Sequence, residues 1–147
     1  MARIQRRVDL MGEEPVFIDT SVWVHYLRPE GREELKASVK KALTKGRVFS
    51  CWVVRAEILI GSRDEKSFDK LLEHLGVVPD IPIDEGVWKE AARLGYTLRK
   101  EEGLSIPLPD LLIAQAALAK DLLLWHADNH FEEICRFVPL RTRSFLL

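Results

Sequence analysis

The 147-residue sequence contains only two cysteines, Cys51 and Cys135, too few for a disulfide framework or a thiolate metal site. They read as buried thiols in a reducing compartment. Net charge is nearly absent, with 22 Lys plus Arg against 23 Asp plus Glu. That balance excludes a protein that coats nucleic acid through bulk positive charge, so any polyanion has to be met by a local patch. No apolar run approaches the ~18 residues of a membrane span, and the opening MARIQRRVDLMGEE has no apolar signal core. The expectation is a soluble, cytoplasmic protein without membrane association. No glycine-rich phosphate loop occurs, which excludes a Walker-type nucleotide triphosphatase. Internal repeats, low-complexity tracts and dividing linkers are missing too.

What is present is 47% apolar and 31% charged residues, enough to bury a core beneath a solvated surface. Residues 1–14 are weakly patterned and are expected to form a loose N-terminal arm before one domain, 15–147. Val16-Phe17-Ile18 has the look of a short buried strand. Asp19-Thr20-Ser21 then offers helix-start residues, and Val22, Trp23, Tyr26 and Leu27 follow at helical spacing until Pro29. Helices are expected from about Arg32 to Lys45, Trp52 to Gly61, Asp64 to Leu75, Asp84 to Glu102, Leu111 to Lys120 and Asn129 to Cys135. Strands are expected at Arg47–Ser50, from Val77-Val78, at Leu122–Trp125 and at Phe137–Leu140. Such alternation predicts a three-layer α/β/α sandwich around a parallel sheet of four to five strands.

In open parallel sheets, ligands bind beyond the carboxyl ends of the strands. Asp19 directly follows the first strand, Asp128 lies just after the Leu122–Trp125 strand, and Asp110 opens the helix that leads into it. Each also answers to an ordinary helix N-cap. A cap needs no company, however, and three acids brought to one sheet edge repel one another unless a cation sits between them. Glu57 adds a fourth. On a helical wheel Arg55 and Ser62 share one side of the Trp52–Ser62 stretch, and Glu57 falls opposite, among Val53, Val54, Ile60 and Gly61. A carboxylate within an apolar face needs a partner, although a glutamate at the margin of a short helix remains the alternative. Gly61 would leave room for a close approach. Four carboxylates without clustered thiols suit a hard cation, Mg²⁺ or Mn²⁺, able to promote phosphodiester hydrolysis. Thr20 and Ser21 are placed to hydrogen-bond a liganding carboxylate, or simply to start the helix.

The strand-Asp19-Thr20-Ser21 entry, Glu57 with Gly61 four residues on, PLPDLLIAQAALA around Asp110 and LLLWHADNHFEEI around Asp128 together resemble the PIN-domain ribonucleases, most closely the VapC-type toxins of toxin–antitoxin pairs. The resemblance spans about Val16 to Leu140 and keeps the order of all four acids. It implies a PIN-like central parallel sheet, Mg²⁺- or Mn²⁺-dependent cleavage of RNA, Asp19, Glu57, Asp110 and Asp128 as catalytic metal ligands, a cognate antitoxin and a homodimer. Two positions depart from the pattern. His130 stands where many relatives carry a further acid, and His126 stands where Thr or Ser is common. Ligation of zinc by His126, Asp128 and His130 is a competing arrangement, weakened because His126 ends a strand and the set is not closed.

Arg28, Arg32, Lys36 and Lys40 form a basic stripe that could hold an RNA backbone, although a solvated helix face gives the same pattern. Trp23, Trp52, Trp88 and Trp125 are expected in the core, with base stacking an option for Trp23 alone. Two other functions compete with a toxin nuclease. One is a non-catalytic PIN-like module binding RNA or protein, and the other is a housekeeping RNA-processing nuclease. Retention of four acids at one edge argues against the silent module, and a small neighbouring antitoxin gene would separate toxin from housekeeping enzyme.

Overall fold

The computed structural model describes residues 14–147. The expected arm lies outside the described residues except for Glu14. That residue is tied down, its carbonyl accepting from Arg47 Nε at 3.0 Å and its carboxylate from Arg141 Nη1 at 2.8 Å.

Four short strands make one parallel sheet: β1 (Val16–Ile18), β2 (Val48–Phe49), β3 (Leu123–His126) and β4 (Thr142–Ser144), in the order β2-β1-β3-β4. Val16, Phe17 and Ile18 are all fully buried. Because successive strand residues point to opposite faces, both faces of β1 are covered, and the molecule is a three-layer sandwich. The helices are α1 (Thr20–Leu27), α2 (Glu33–Thr44), α3 (Trp52–Ile60), α4 (Glu65–Gly76), α5 (Glu85–Glu102), α6 (Leu108–Lys120) and α7 (Asn129–Cys135). Among the described residues no helix is long and apolar enough to cross a membrane.

Local chemistry accounts for the boundaries. Asp19, Asp64, Asp84 and Asp128 accept backbone N–H groups at the starts of α1, α4, α5 and α7, which satisfies donors a helix leaves orphaned. Gly103 closes α5 in the left-handed conformation, at φ 67°. The apolar α6 buries Leu111, Leu112, Ile113, Ala114, Ala116 and Ala117, and it can lie close to α5 because Gly95 has no side chain. A Cβ there would meet Leu111 Cδ1 at 2.6 Å.

Five expectations are corrected. Val77-Val78 forms no strand: Val77 caps α4 and is exposed, and only an isolated bridge, Ser50 to Asp80, extends that edge. The last strand is Thr142–Ser144 instead of Phe137–Leu140, because the chain first turns through Leu140 N–H to Val138 O. Trp52 and Trp88 are 57% and 48% exposed, whereas Trp23 and Trp125 are buried. Arg55 lies on the buried face of α3, beside Val54, Ile58 and Leu59, and Glu57 flanks that face half-buried. The guanidinium is tolerated there because each of its three nitrogens has an acceptor: Asp80 Oδ1 at 2.6 Å, Val78 O at 2.7 Å and Leu75 O at 3.4 Å, with the Trp52 ring beneath it. Gly61 is an exposed C-cap to α3, and no close approach requires it.

The strand order places a switch point between β1 and β3. From β1 the chain crosses to β2 on one side, and later returns to β3 on the other. The crevice beyond the carboxyl ends of those two neighbours is where such a sheet offers a ligand site. Asp19 and Asp128 stand at those two ends.

Candidate active site

Asp19 is set by register and by its own helix. Its N–H donates to Trp125 O at 2.9 Å, which fixes the end of β1 against β3. One carboxylate oxygen, Oδ2, accepts from Ser21 N at 2.9 Å and from Ser21 Oγ at 2.6 Å. The same hydroxyl accepts from Ala127 N at 2.9 Å, so Ser21 joins the exits of β1 and β3. The other oxygen, Oδ1, is buried and has no hydrogen-bond partner among the described residues. Asp19 is only 3% exposed, and its pKa is pushed up to about 6. Burial is the chief cause, opposed by the Ser21 hydrogen bonds and reinforced by the charges of Asp110 and Glu57.

Glu57 reaches the same edge from α3. Its Oε1 accepts from Thr20 Oγ1 at 2.7 Å, so adjacent residues of α1 hold two of the expected acids, Ser21 gripping Asp19 and Thr20 gripping Glu57. Asp110 comes from the first turn of α6, after Pro107 and Pro109. Its pKa is raised, mainly by burial, with the His130 hydrogen bond opposing and the charges of Asp128 and Glu57 adding to the rise. Asp128 caps α7, its Oδ1 accepting from His130 N at 2.9 Å.

Sequence reasoning gives His130 a role only in the competing zinc set with His126 and Asp128; the structure places it against Asp110 instead. Its Nδ1 lies 2.7 Å from Asp110 Oδ2 and 3.5 Å from Asp128 Oδ1. Desolvation pulls its pKa down, but the Asp110 hydrogen bond and the charges of Asp128, Asp110 and Glu133 outweigh this and hold it above the usual value. The usable signal is positional. A side chain two residues after a capping Asp, in the first turn of the same helix, projects back toward that carboxylate.

His126 belongs elsewhere. It is fully buried against the Phe131 ring, its Nδ1 accepts from Asp128 N at 3.2 Å, and its Nε2 lies 3.2 Å from Glu132 Oε1. Desolvation lowers its pKa, so the ring is a neutral brace behind the site. The zinc arrangement of His126, Asp128 and His130 is therefore not assembled. The tight group among the described residues is Asp110, Asp128 and His130, with donor atoms within 4.8 Å of one another.

Of the basic stripe, Arg28 and Lys40 are exposed, Lys36 Nζ reaches Pro29 O at 3.2 Å, and Arg32 donates to Phe145 O. Trp23 is buried edge-on to Tyr26, which removes it as a stacking platform.

The residues present fit a divalent cation. Acids converge from the ends of β1 and β3 and from two helices, burial raises the pKa of Asp19 and of Asp110, and Asp19 Oδ1 is an acceptor with no donor among the described residues.

The chain is similar to known proteins over most of its length. Residues 16–137 match the family model described as PIN domain. Ribonuclease VapC18 of Mycobacterium tuberculosis is 30% identical over 120 residues, covering 80% of this chain and 85% of its own. VapBC2 from Rickettsia felis, solved bound to a promoter DNA fragment, superposes with a TM-score of 0.71 at 19% identity, covering 88% of this chain and 98% of that one. VapBC-5 of Mycobacterium tuberculosis, described as a member of the VapBC family of toxin–antitoxin systems, gives 0.60 at 22% identity, with 90% and 98% covered.

Proposed function

Because the chain belongs to the PIN-domain family, we propose that it is an endoribonuclease that hydrolyses RNA phosphodiester bonds with a divalent cation, Mg²⁺ or Mn²⁺, and that it is the toxin of a toxin–antitoxin pair. The observation that carries this reading is the Asp19 carboxylate, gripped by Ser21 through one oxygen and left without a donor at the other, beside further acids. A cap would need no such crowding, and a silent binding module would have no chemical reason to bury an acid against its own kind.

Asp19, Glu57, Asp110 and Asp128 hold the cation. When bound, it supplies charge neutralisation and Lewis acidity toward the phosphodiester. Ser21 fixes the rotamer of Asp19, and Thr20 does the same for Glu57, so both carboxylates are presented without reorganisation. Asp128, at 34% side-chain exposure, is more open than Asp110 at 13% and is suited to orienting water. Arg28, Arg32, Lys36 and Lys40 offer a positive surface for the RNA backbone, with Arg32 already engaged by Phe145 O. The partners of this reading are RNA, a cognate antitoxin and a second copy of the chain. The setting is the cytoplasm, where Cys51 and Cys135 stay free thiols.

Expression of the chain alone in a bacterial host tests the reading. Growth should arrest, Asp19→Asn should abolish the arrest, and the product of an adjacent small gene should relieve it and co-purify with the chain. A wild-type chain that accumulates in soluble form without affecting growth contradicts the proposal.

A further inference from the structure

The geometry points to a nitrogen-containing metal corner, formed by Asp110, Asp128 and His130, which makes this chain prefer a first-row transition ion such as Mn²⁺ over Mg²⁺. The inference rests on the metal-dependent reading above and concerns what His130 adds to it.

Three observations carry it. First, the donor atoms of these three residues already lie within 4.8 Å of one another, with His130 Nδ1 2.7 Å from Asp110 Oδ2 and 3.5 Å from Asp128 Oδ1. Neighbouring corners of an octahedron with ligand distances of ~2.1 Å are about 3 Å apart, so small side-chain adjustments suffice. Second, the ring is accessible. The His130 side chain is 37% exposed, whereas His126 is sealed in the core with both nitrogens directed at other groups. Third, the same edge holds a buried acceptor without a donor, Asp19 Oδ1, an independent sign that a cation belongs there.

The consequence follows from donor chemistry. An all-carboxylate site suits Mg²⁺ and Mn²⁺ alike. Mg²⁺ favours oxygen and keeps its waters, and a neutral imidazole replaces poorly the anionic oxygen a further acid would supply. Mn²⁺ accepts both donor types. A histidine at position 130 therefore costs affinity for Mg²⁺ and retains it for Mn²⁺. The competing account is an ordinary ion pair in which His130 only neutralises Asp110, and it predicts no ion selectivity.

The test uses the wild-type chain with His130→Ala and His130→Asp. Titration calorimetry with Mn²⁺ and with Mg²⁺ gives the affinities, and electron-spin-echo spectroscopy of the Mn²⁺-loaded wild type reads nitrogen coupling directly. The expected result is a ¹⁴N coupling in the wild type that both variants lack. His130→Ala should weaken Mn²⁺ by about tenfold or more with Mg²⁺ held or improved, and His130→Asp should tighten Mg²⁺. Mn²⁺ bound with no nitrogen coupling, or the two ions weakened equally by His130→Ala, overturns the inference and leaves the nuclease reading standing. Failure of all three proteins to bind either ion overturns both. The spectrum is taken on the wild type, so the inference stays testable even where a variant misfolds.

Discussion

Thr20 Oγ1 donates to Glu57 Oε1 at 2.7 Å, so the first residue of α1 holds a carboxylate of α3, 37 residues away in sequence. Replacing Thr20 with Val keeps the shape and deletes the donor. The expected stability loss is about 1 kcal/mol, read from denaturant melts. RNA cleavage should fall further than that loss explains, because Glu57 is then free to leave its position. Thr20→Ser should restore most of the activity. Equal activity in Thr20→Val and wild type would reduce this bond to a helix-start contact.

Asp110→Asn keeps the shape but removes a negative metal ligand and the charge that faces His130 Nδ1 at 2.7 Å. Cleavage should drop by orders of magnitude, while the circular dichroism spectrum and melting curve stay close to wild type. The loss of charge repulsion at this edge favours the fold if anything. An active Asp110→Asn protein would show that the residue only opens α6.

The acidic edge also sets a pH dependence. The Asp19 carboxyl, raised from 3.8 to about 6, binds its proton more tightly in the folded state than in the unfolded chain. Its contribution is intact below about pH 4 and is lost as pH rises through 6, so the metal-free protein should melt lower at neutral than at mildly acidic pH. Asp110, also raised, acts in the same sense. Asp19→Asn should flatten this dependence and melt several degrees higher at neutral pH. A cation that binds only the folded state should offset the loss, by about 2.7 kcal/mol when present at ~100 times its dissociation constant. An identical pH profile for wild type and Asp19→Asn would contradict the buried-charge account.

Arg55 carries structure away from the site. Its guanidinium answers Asp80 and the carbonyls of Leu75 and Val78, which fixes the turn after α4. Arg55→Ala strands those carbonyls and should cost about 2–4 kcal/mol by chemical denaturation. Asp80→Ala should also lower stability, because it leaves a guanidinium that is only 3% exposed without its counter-ion. A loss below about 1 kcal/mol for Arg55→Ala would show that water replaces the guanidinium.

The sequence is most informative where period and punctuation agree. The helix from Glu33 is legible because Leu35, Val39 and Ala42 recur on one side and Gly46 follows. The Asp19 corner is legible because a short apolar strand runs straight into three helix-start residues. Local pattern misleads where a tertiary partner overrides it. The helical wheel sets Arg55 opposite the apolar face because its partners, Leu75, Val78 and Asp80, are remote in sequence, and its burial turns α3 so that Glu57 sits at the edge of the buried face. Hydrophobicity alone places Trp52 and Trp88 inside, yet only one side of each helix meets the core. His130 stands out in sequence as a departure, but its contact with Asp110 depends on how α6 meets α7.

The central claim is that this acidic edge hydrolyses RNA through a bound divalent cation. The direct measurement is cleavage of a labelled structured RNA by the purified chain with Mn²⁺ or Mg²⁺, with chelator, and with Asp19→Asn and Asp110→Asn purified identically. The account predicts discrete metal-dependent products that chelator abolishes and metal restores, and that neither variant yields above background. Cleavage that persists in chelator, or survives equally in both variants, would contradict it.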